Sequence, residues 1–129
     1  MKLDCKEISI SEDELGCTIK FSGEKEKYDL YNERSVQEIL ASMKPYILLQ
    51  RSYGEDEFEE DYCYFETLDF DKAGELKDFT IDVYRKKILI TCNNEIFEIT
   101  IHAKDKKFEN LKTALKKIAN KDGQLRIYE

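Results

Sequence analysis

Phe79-Thr80-Ile81-Asp82-Val83-Tyr84-Arg85-Lys86-Lys87-Ile88-Leu89-Ile90-Thr91-Cys92-Asn93-Asn94-Glu95-Ile96-Phe97-Glu98-Ile99-Thr100-Ile101 holds three runs of alternating apolar and polar side chains. A basic stretch separates the first two, and a pair of asparagines separates the second from the third. Alternation with period two marks a strand that is buried on one face. Asparagine tolerates positive φ, so Asn93-Asn94 suits a two-residue hairpin turn that sets Ile90 opposite Phe97 and Ile88 opposite Ile99. A loop across Tyr84 to Lys87 sets Val83 opposite Ile88, Ile81 opposite Ile90 and Phe79 opposite Cys92. All eight side chains then share one face, and a slip of one residue would turn one strand's apolar set toward solvent. The expected strands are 79–85, 87–92 and 95–102.

On the C-terminal side, Asp105 is placed to cap a helix running to about Asn120, with Phe108, Leu111, Leu115 and Ile118 along one stripe. Lys112, Lys116, Lys117 and Lys121 lie toward its C-terminal end, where cations complement the helix dipole. Gly123 marks the exit, and Leu125 to Tyr128 can add a last strand. On the N-terminal side, Ile8 and Ile10 alternate with polar residues, Ser11 to Gly16 is turn-like, and Cys17, Ile19 and Phe21 alternate again. Ser22-Gly23-Glu24 is a plausible turn into a third short strand at Tyr28 to Tyr31.

Ser35-Val36-Gln37-Glu38 fits a capping box, followed by Val36, Ile39, Leu40 and Met43 at helical spacing. Pro45 ends this short helix. Tyr46 to Arg51 reads as a strand covered on both faces. The expected fold is α+β, a single domain over residues 1–129. Its architecture is a single antiparallel β-sheet with a short central helix and a C-terminal helix packed on one face.

A chain of 129 residues can bury a core without staples. The 41% hydrophobic share, with 7 Phe and 8 Tyr, argues against disorder although 38% of residues are charged. The N-terminal residues carry no apolar run of signal-peptide length, so a cytoplasmic protein is expected. Cys5, Cys17, Cys63 and Cys92 have neither metal-binding nor disulfide-dense spacing and are expected to be four reduced thiols.

His102 is the only histidine; in register with Glu98 and Thr100, it is expected on the solvent face. Asp69-Phe70-Asp71-Lys72-Ala73-Gly74 matches the start of an EF-hand loop, but Ala73 and Thr80 stand where a ligand and the bidentate Glu are needed. No Gly-rich phosphate loop, nucleophile elbow or zinc spacing is present, so no catalytic residue, metal or cofactor is expected.

The formal charge of −7 is concentrated in one place. Between Gly54 and Asp78 stand 11 acids against Lys72 and Lys77, a net −9, which leaves +2 for the rest of the chain. Such a field disfavours direct binding to nucleic acid or anionic membrane. Its densest part, Glu55-Asp56-Glu57-Phe58-Glu59-Glu60-Asp61-Tyr62, sets aromatic residues among six acids. One reading is a solvated loop before a strand. The other is a recognition surface whose carboxylates steer a basic partner while Phe58 and Tyr62 supply desolvated anchors, with Arg51 at the contact.

The order of Tyr46-Ile47-Leu48-Leu49-Gln50-Arg51, an acid-rich stretch, Tyr64-x-Glu66, a β-meander and a final Phe108-x-x-Leu111-x-x-x-Leu115 helix resembles the bacterial immunity proteins of polymorphic-toxin systems. It is most similar to the tenth-numbered immunity family, over roughly Tyr46 to Ile118. The resemblance implies a non-catalytic cytosolic protein that binds and neutralises a cognate toxin domain. Two alternatives share parts of the pattern. An acidic inhibitor or mimic of phage or defence type would spread its charge over a longer surface. A small-ligand-binding α+β domain would need a deep apolar pocket.

Overall fold

The computed structural model describes residues 2–23, 45–53, 62–67, 73–76 and 78–128. The expected strand at Tyr28 to Tyr31 and the expected helix from Val36 to Met43 lie outside them. The described residues form ten strands and one helix: β1 (Lys2–Asp4), β2 (Glu7–Glu12), β3 (Gly16–Ser22), β4 (Tyr46–Ser52), β5 (Tyr62–Thr67), β6 (Gly74–Leu76), β7 (Phe79–Val83), β8 (Lys87–Cys92), β9 (Glu95–Thr100), α1 (Asp105–Ile118) and β10 (Leu125–Ile127).

The meander forms in the expected register. Val83 pairs with Ile88, Ile81 with Ile90, Phe79 with Cys92, Ile90 with Phe97 and Ile88 with Ile99. Asn93 and Asn94 take φ of 51° and 61°, the left-handed pair that a two-residue turn between twisted strands demands. All eight inward side chains are buried.

The expectation of an α+β fold built on a single antiparallel sheet is overturned, because the described residues are mostly strand, in two sheets, with one helix. The strands divide into two five-stranded sheets, ordered β1-β9-β8-β7-β10 and β2-β3-β4-β5-β6. Both edges of the meander are taken by short terminal strands that run parallel to their neighbours. Leu3 pairs with Ile99 and Cys5 N–H donates to Thr100 O at 2.8 Å. At the other edge Leu125 pairs with Ile81 and Ile127 with Val83, and the Arg126 guanidinium grips the Asp82 carboxylate with two bonds of 2.6 and 3.1 Å. The remaining five strands pair among themselves rather than with β1 or β10. Each sheet has one apolar face, and stacking the two faces removes both from water.

The second sheet is antiparallel throughout, and its inward set runs across the strands: Phe21 beside Ile47, Ile19 beside Leu49 and Leu49 beside Phe65. In strand β4, Ile47, Leu49 and Arg51 are buried on one face, and on the other Tyr46 is buried while Leu48 and Gln50 are half-buried. The Phe65 and Phe97 rings, one from each sheet, meet at 4.9 Å between centroids. Phe108, Leu111, Ala114, Leu115 and Ile118 of α1 join the same continuous core.

Because β10 runs parallel to β9 in one sheet, the chain needs a crossover, and α1 supplies it. The helix starts one residue away from the expected cap. Lys104 is the N-cap and makes no side-chain capping bond, while Asp105 in the first turn accepts from Arg85 Nη2 at 2.8 Å. Gly123, at φ 82°, turns the chain out of the helix toward β10.

Ile90 is 0% exposed at the centre of the meander. Ile90→Ala should lower the unfolding free energy by about 2–5 kcal/mol, measured by urea denaturation. A change near zero would remove Ile90 from the core.

A candidate binding end on the second sheet

Three adjacent strands end together at one end of the second sheet. Gly16, Ser52 and Tyr62 are aligned across β3, β4 and β5. The acidic connection, residues 54–61, leaves this end after Tyr53 and returns to it at Tyr62. The β2–β3 turn lies beside its root, with Tyr53 N–H donating to Leu15 O at 2.8 Å. At Gly16 the backbones come so close that a Cβ would sit 2.3 Å from Arg51 O, so only glycine fits there.

The Asp13 carboxylate organises the turn by accepting from Leu15 N–H at 2.8 Å and from Gly16 N–H at 3.1 Å. Sequence reading recognised this stretch only as turn-like. Asp13-x-x-Gly16 was the available signal, since Asp side chains fold back on their own backbone in this way.

Of the residues expected at a partner contact, Glu55, Asp56, Glu57, Phe58, Glu59, Glu60 and Asp61 lie outside the described residues. Tyr62 opens β5 and is 49% exposed. Arg51 is in the interior, 3% exposed, and both Nε and Nη2 donate to Ile118 O at 2.8 and 2.6 Å. Helix ends leave carbonyls without intrahelical partners, and a cation there also complements the dipole. Arg51 therefore ties β4 to the end of α1. Nearby, Lys117 pairs with Glu12, which holds the Lys117 pKa above its usual value.

Other polar groups have places of their own. On the outer face of the second sheet, the Tyr46 and Tyr64 hydroxyls both donate to Glu66, at 2.9 and 3.1 Å. Burial and then this carboxylate push the Tyr46 phenol up to about 12. His102 is on the solvent side of the first sheet, as the register requires, with Nε2 2.7 Å from Asp4 Oδ1. Lys6 lies 2.7 Å from the other Asp4 oxygen. Lys6 and then His102 lower the Asp4 pKa.

All four cysteines are free and buried, and burial pushes the Cys5 and Cys63 thiols up to about 11, away from nucleophilic use at neutral pH. Among the described residues no group of three or more His, Cys, Asp or Glu side chains is placed to hold a metal ion. Asp69 and Asp71 lie outside those residues. An open, mainly polar groove of about 890 Å³ lies at the Asn93-Asn94 turn, lined also by Glu75, Asp78, Lys121 and Gln124. No helix among the described residues is long and apolar enough to cross a membrane. Comparison of the chain with protein-family models, with curated proteins and with solved structures found no match.

Two outcomes are expected from these contacts. Arg51→Met should destabilise the fold by about 1.5–3 kcal/mol in chemical denaturation, because a charged donor to a buried carbonyl is lost. Arg51→Lys should restore only part of this, since an ammonium lacks the planar fork. The Asp4 pairing stabilises the fold above the unfolded carboxylate pKa, near 3.9, and is lost as pH falls through the lowered folded value. In acid titration followed by circular dichroism, Asp4→Asn should therefore unfold earlier at neutral to mildly acidic pH and converge with wild type in strong acid. Parallel curves across the whole range would show that the pairing does not couple to folding.

Proposed function

We propose that this chain is a non-catalytic immunity protein that acts in the cytoplasm by binding a cognate bacterial toxin domain and neutralising it through its acidic segment. The observation that carries the reading is the charge distribution. Residues 54–78 hold a net −9 in a chain otherwise at +2. A field focused on one part of a small protein steers a basic partner to that part and raises the rate of productive encounter.

The geometry supports this reading in two ways. The described residues that flank the densest acidic run belong to paired strands, with Ser52 opposite Tyr62. Tyr62 offers aromatic surface at the same place. Partner contact is assigned to Glu55, Asp56, Glu57, Phe58, Glu59, Glu60, Asp61 and Tyr62. Arg51 serves the interface from behind, by anchoring the strand from which the segment leaves.

The test is co-expression with the product of the adjacent upstream gene, followed by pull-down and a toxicity-rescue assay. The chain should bind and restore growth. Replacing Glu55, Asp56, Glu59 and Glu60 with their amides should slow association by about tenfold at low salt and flatten its salt dependence, whereas Phe58→Ala should act mainly on dissociation. Absence of binding and rescue would sink the immunity reading. Binding that survives loss of the acids would keep the function and move the interface.

A further inference from the structure

The segment that follows α1 folds onto itself before β10 begins. Lys121 N–H donates to Gln124 Oε1 and Gln124 N–H donates to Lys121 O, both at 3.2 Å, while Gln124 O accepts from Ile81 N–H at 2.6 Å. Gln124 is thus fixed to the first sheet through its backbone, and it is only 9% exposed. Because a backbone N–H occupies its side-chain oxygen, the amide nitrogen is the atom left over. That nitrogen has no partner among the described residues, and none of their fully buried side-chain nitrogens or oxygens is unsatisfied. It therefore opens onto the polar groove that Gln124 lines.

The groove brings charge to this donor from several elements. Glu75 comes from β6 at the edge of the second sheet, Asp78 from the approach to β7, and Asp122 from the turn before β10. No ion pair or hydrogen bond engages these three carboxylates among the described residues. Lys121 supplies a cation, in the same turn as Gln124. Between the strands, Thr80 and Thr91 stand directly opposite each other and add two hydroxyls to the lining. A groove of this kind selects a hydrophilic ligand. Three carboxylates against one ammonium call for a cationic group, and the Lys121–Gln124 turn calls for an acceptor, best a carboxylate.

We propose that the groove binds a small zwitterion of net positive charge, an ammonium or guanidinium group joined to a carboxylate, which is the chemistry of a basic amino acid. The cation meets Glu75, Asp78 and Asp122, and the carboxylate takes the Gln124 amide N–H and the Lys121 ammonium. A plain diamine would satisfy the acids but leave the Gln124 donor without an acceptor, so the turn discriminates between the two. The site uses none of the residues assigned to the protein partner, and the inference goes beyond the toxin-binding reading without resting on it.

The test follows amide chemical shifts of the whole chain during titration with lysine and with cadaverine, the same carbon chain without the carboxylate. Lysine should shift residues 78–80, 91–94 and 121–124 saturably and bind about tenfold tighter than cadaverine. Gln124→Glu keeps the acceptor for Lys121 N–H but loses the donor, so it should weaken lysine about tenfold and leave cadaverine no weaker. Lys121→Met, at an exposed position, should act in the same direction and serves if Gln124→Glu disturbs the core amides. Asp78→Asn should weaken both ligands. No saturable shift at the groove, equal affinity for lysine and cadaverine, or unchanged lysine affinity in folded Gln124→Glu and Lys121→Met would each overturn the inference. Toxicity rescue is read in a different assay, so failure of this site and failure of the immunity reading are distinguishable.

Discussion

The register of the β7–β8–β9 meander is the constraint on which the rest of the structure depends. Side chains alternate faces in a strand, so one two-residue turn decides where every apolar group in the hairpin points. Asn93 and Asn94 make that decision by adopting left-handed geometry, and they bring Ile90 opposite Phe97 and Ile88 opposite Ile99. The result is one dry face and one wet one. β1 and β10 then occupy both edges, so the other five strands bury their own apolar face by stacking. The crossover helix completes the same core.

That core also governs the acidic end of the second sheet. A segment with six acids in seven positions repels itself, and its encounter geometry is set by whatever holds its ends. Here the holding groups are the β4–β5 pairing and, behind it, the Arg51 guanidinium on the last carbonyl of α1. A cation in the interior is costly to desolvate, and two short bonds to a helix-end carbonyl offset part of that cost. The Asp13 turn uses the same chemistry at the surface, with a carboxylate ordering two backbone N–H groups. Side-chain charges thus hold backbone groups in place on both β3 and β4 at this end of the sheet.

The parts of this structure that were legible in the sequence are those written locally. The meander and the α1 stripe each depend on periodicity within a few turns or strands, and both were readable from Phe79 to Ile118. The division into two sheets was not, because it depends on which strands the two three-residue segments β1 and β10 join; a strand at Leu125 to Tyr128 was readable, but its partner was not. Leu3 pairs with Ile99 and Leu125 with Ile81, partners far away along the chain that no local pattern names. The apolar run at Tyr46 to Leu49 gave no indication that Leu48 would be less buried than Ile47 and Leu49. Arg51 illustrates a signal that was present but overruled by its neighbours. It stands in phase with Ile47 and Leu49, which places it inside, yet its closeness to the acidic run suggested the surface.

The central claim is that the end of the second sheet bearing the Asp13–Gly16 turn and the acidic connection is the face that meets a partner. Hydrogen–deuterium exchange of the chain, alone and with the product of the adjacent upstream gene, tests it most directly. The account predicts slowed exchange at residues 13–16 and 53–62, with the meander amides unchanged. Slowed exchange confined to the groove around Asn93, Asn94 and Gln124, or to the outer face of the first sheet, would contradict it.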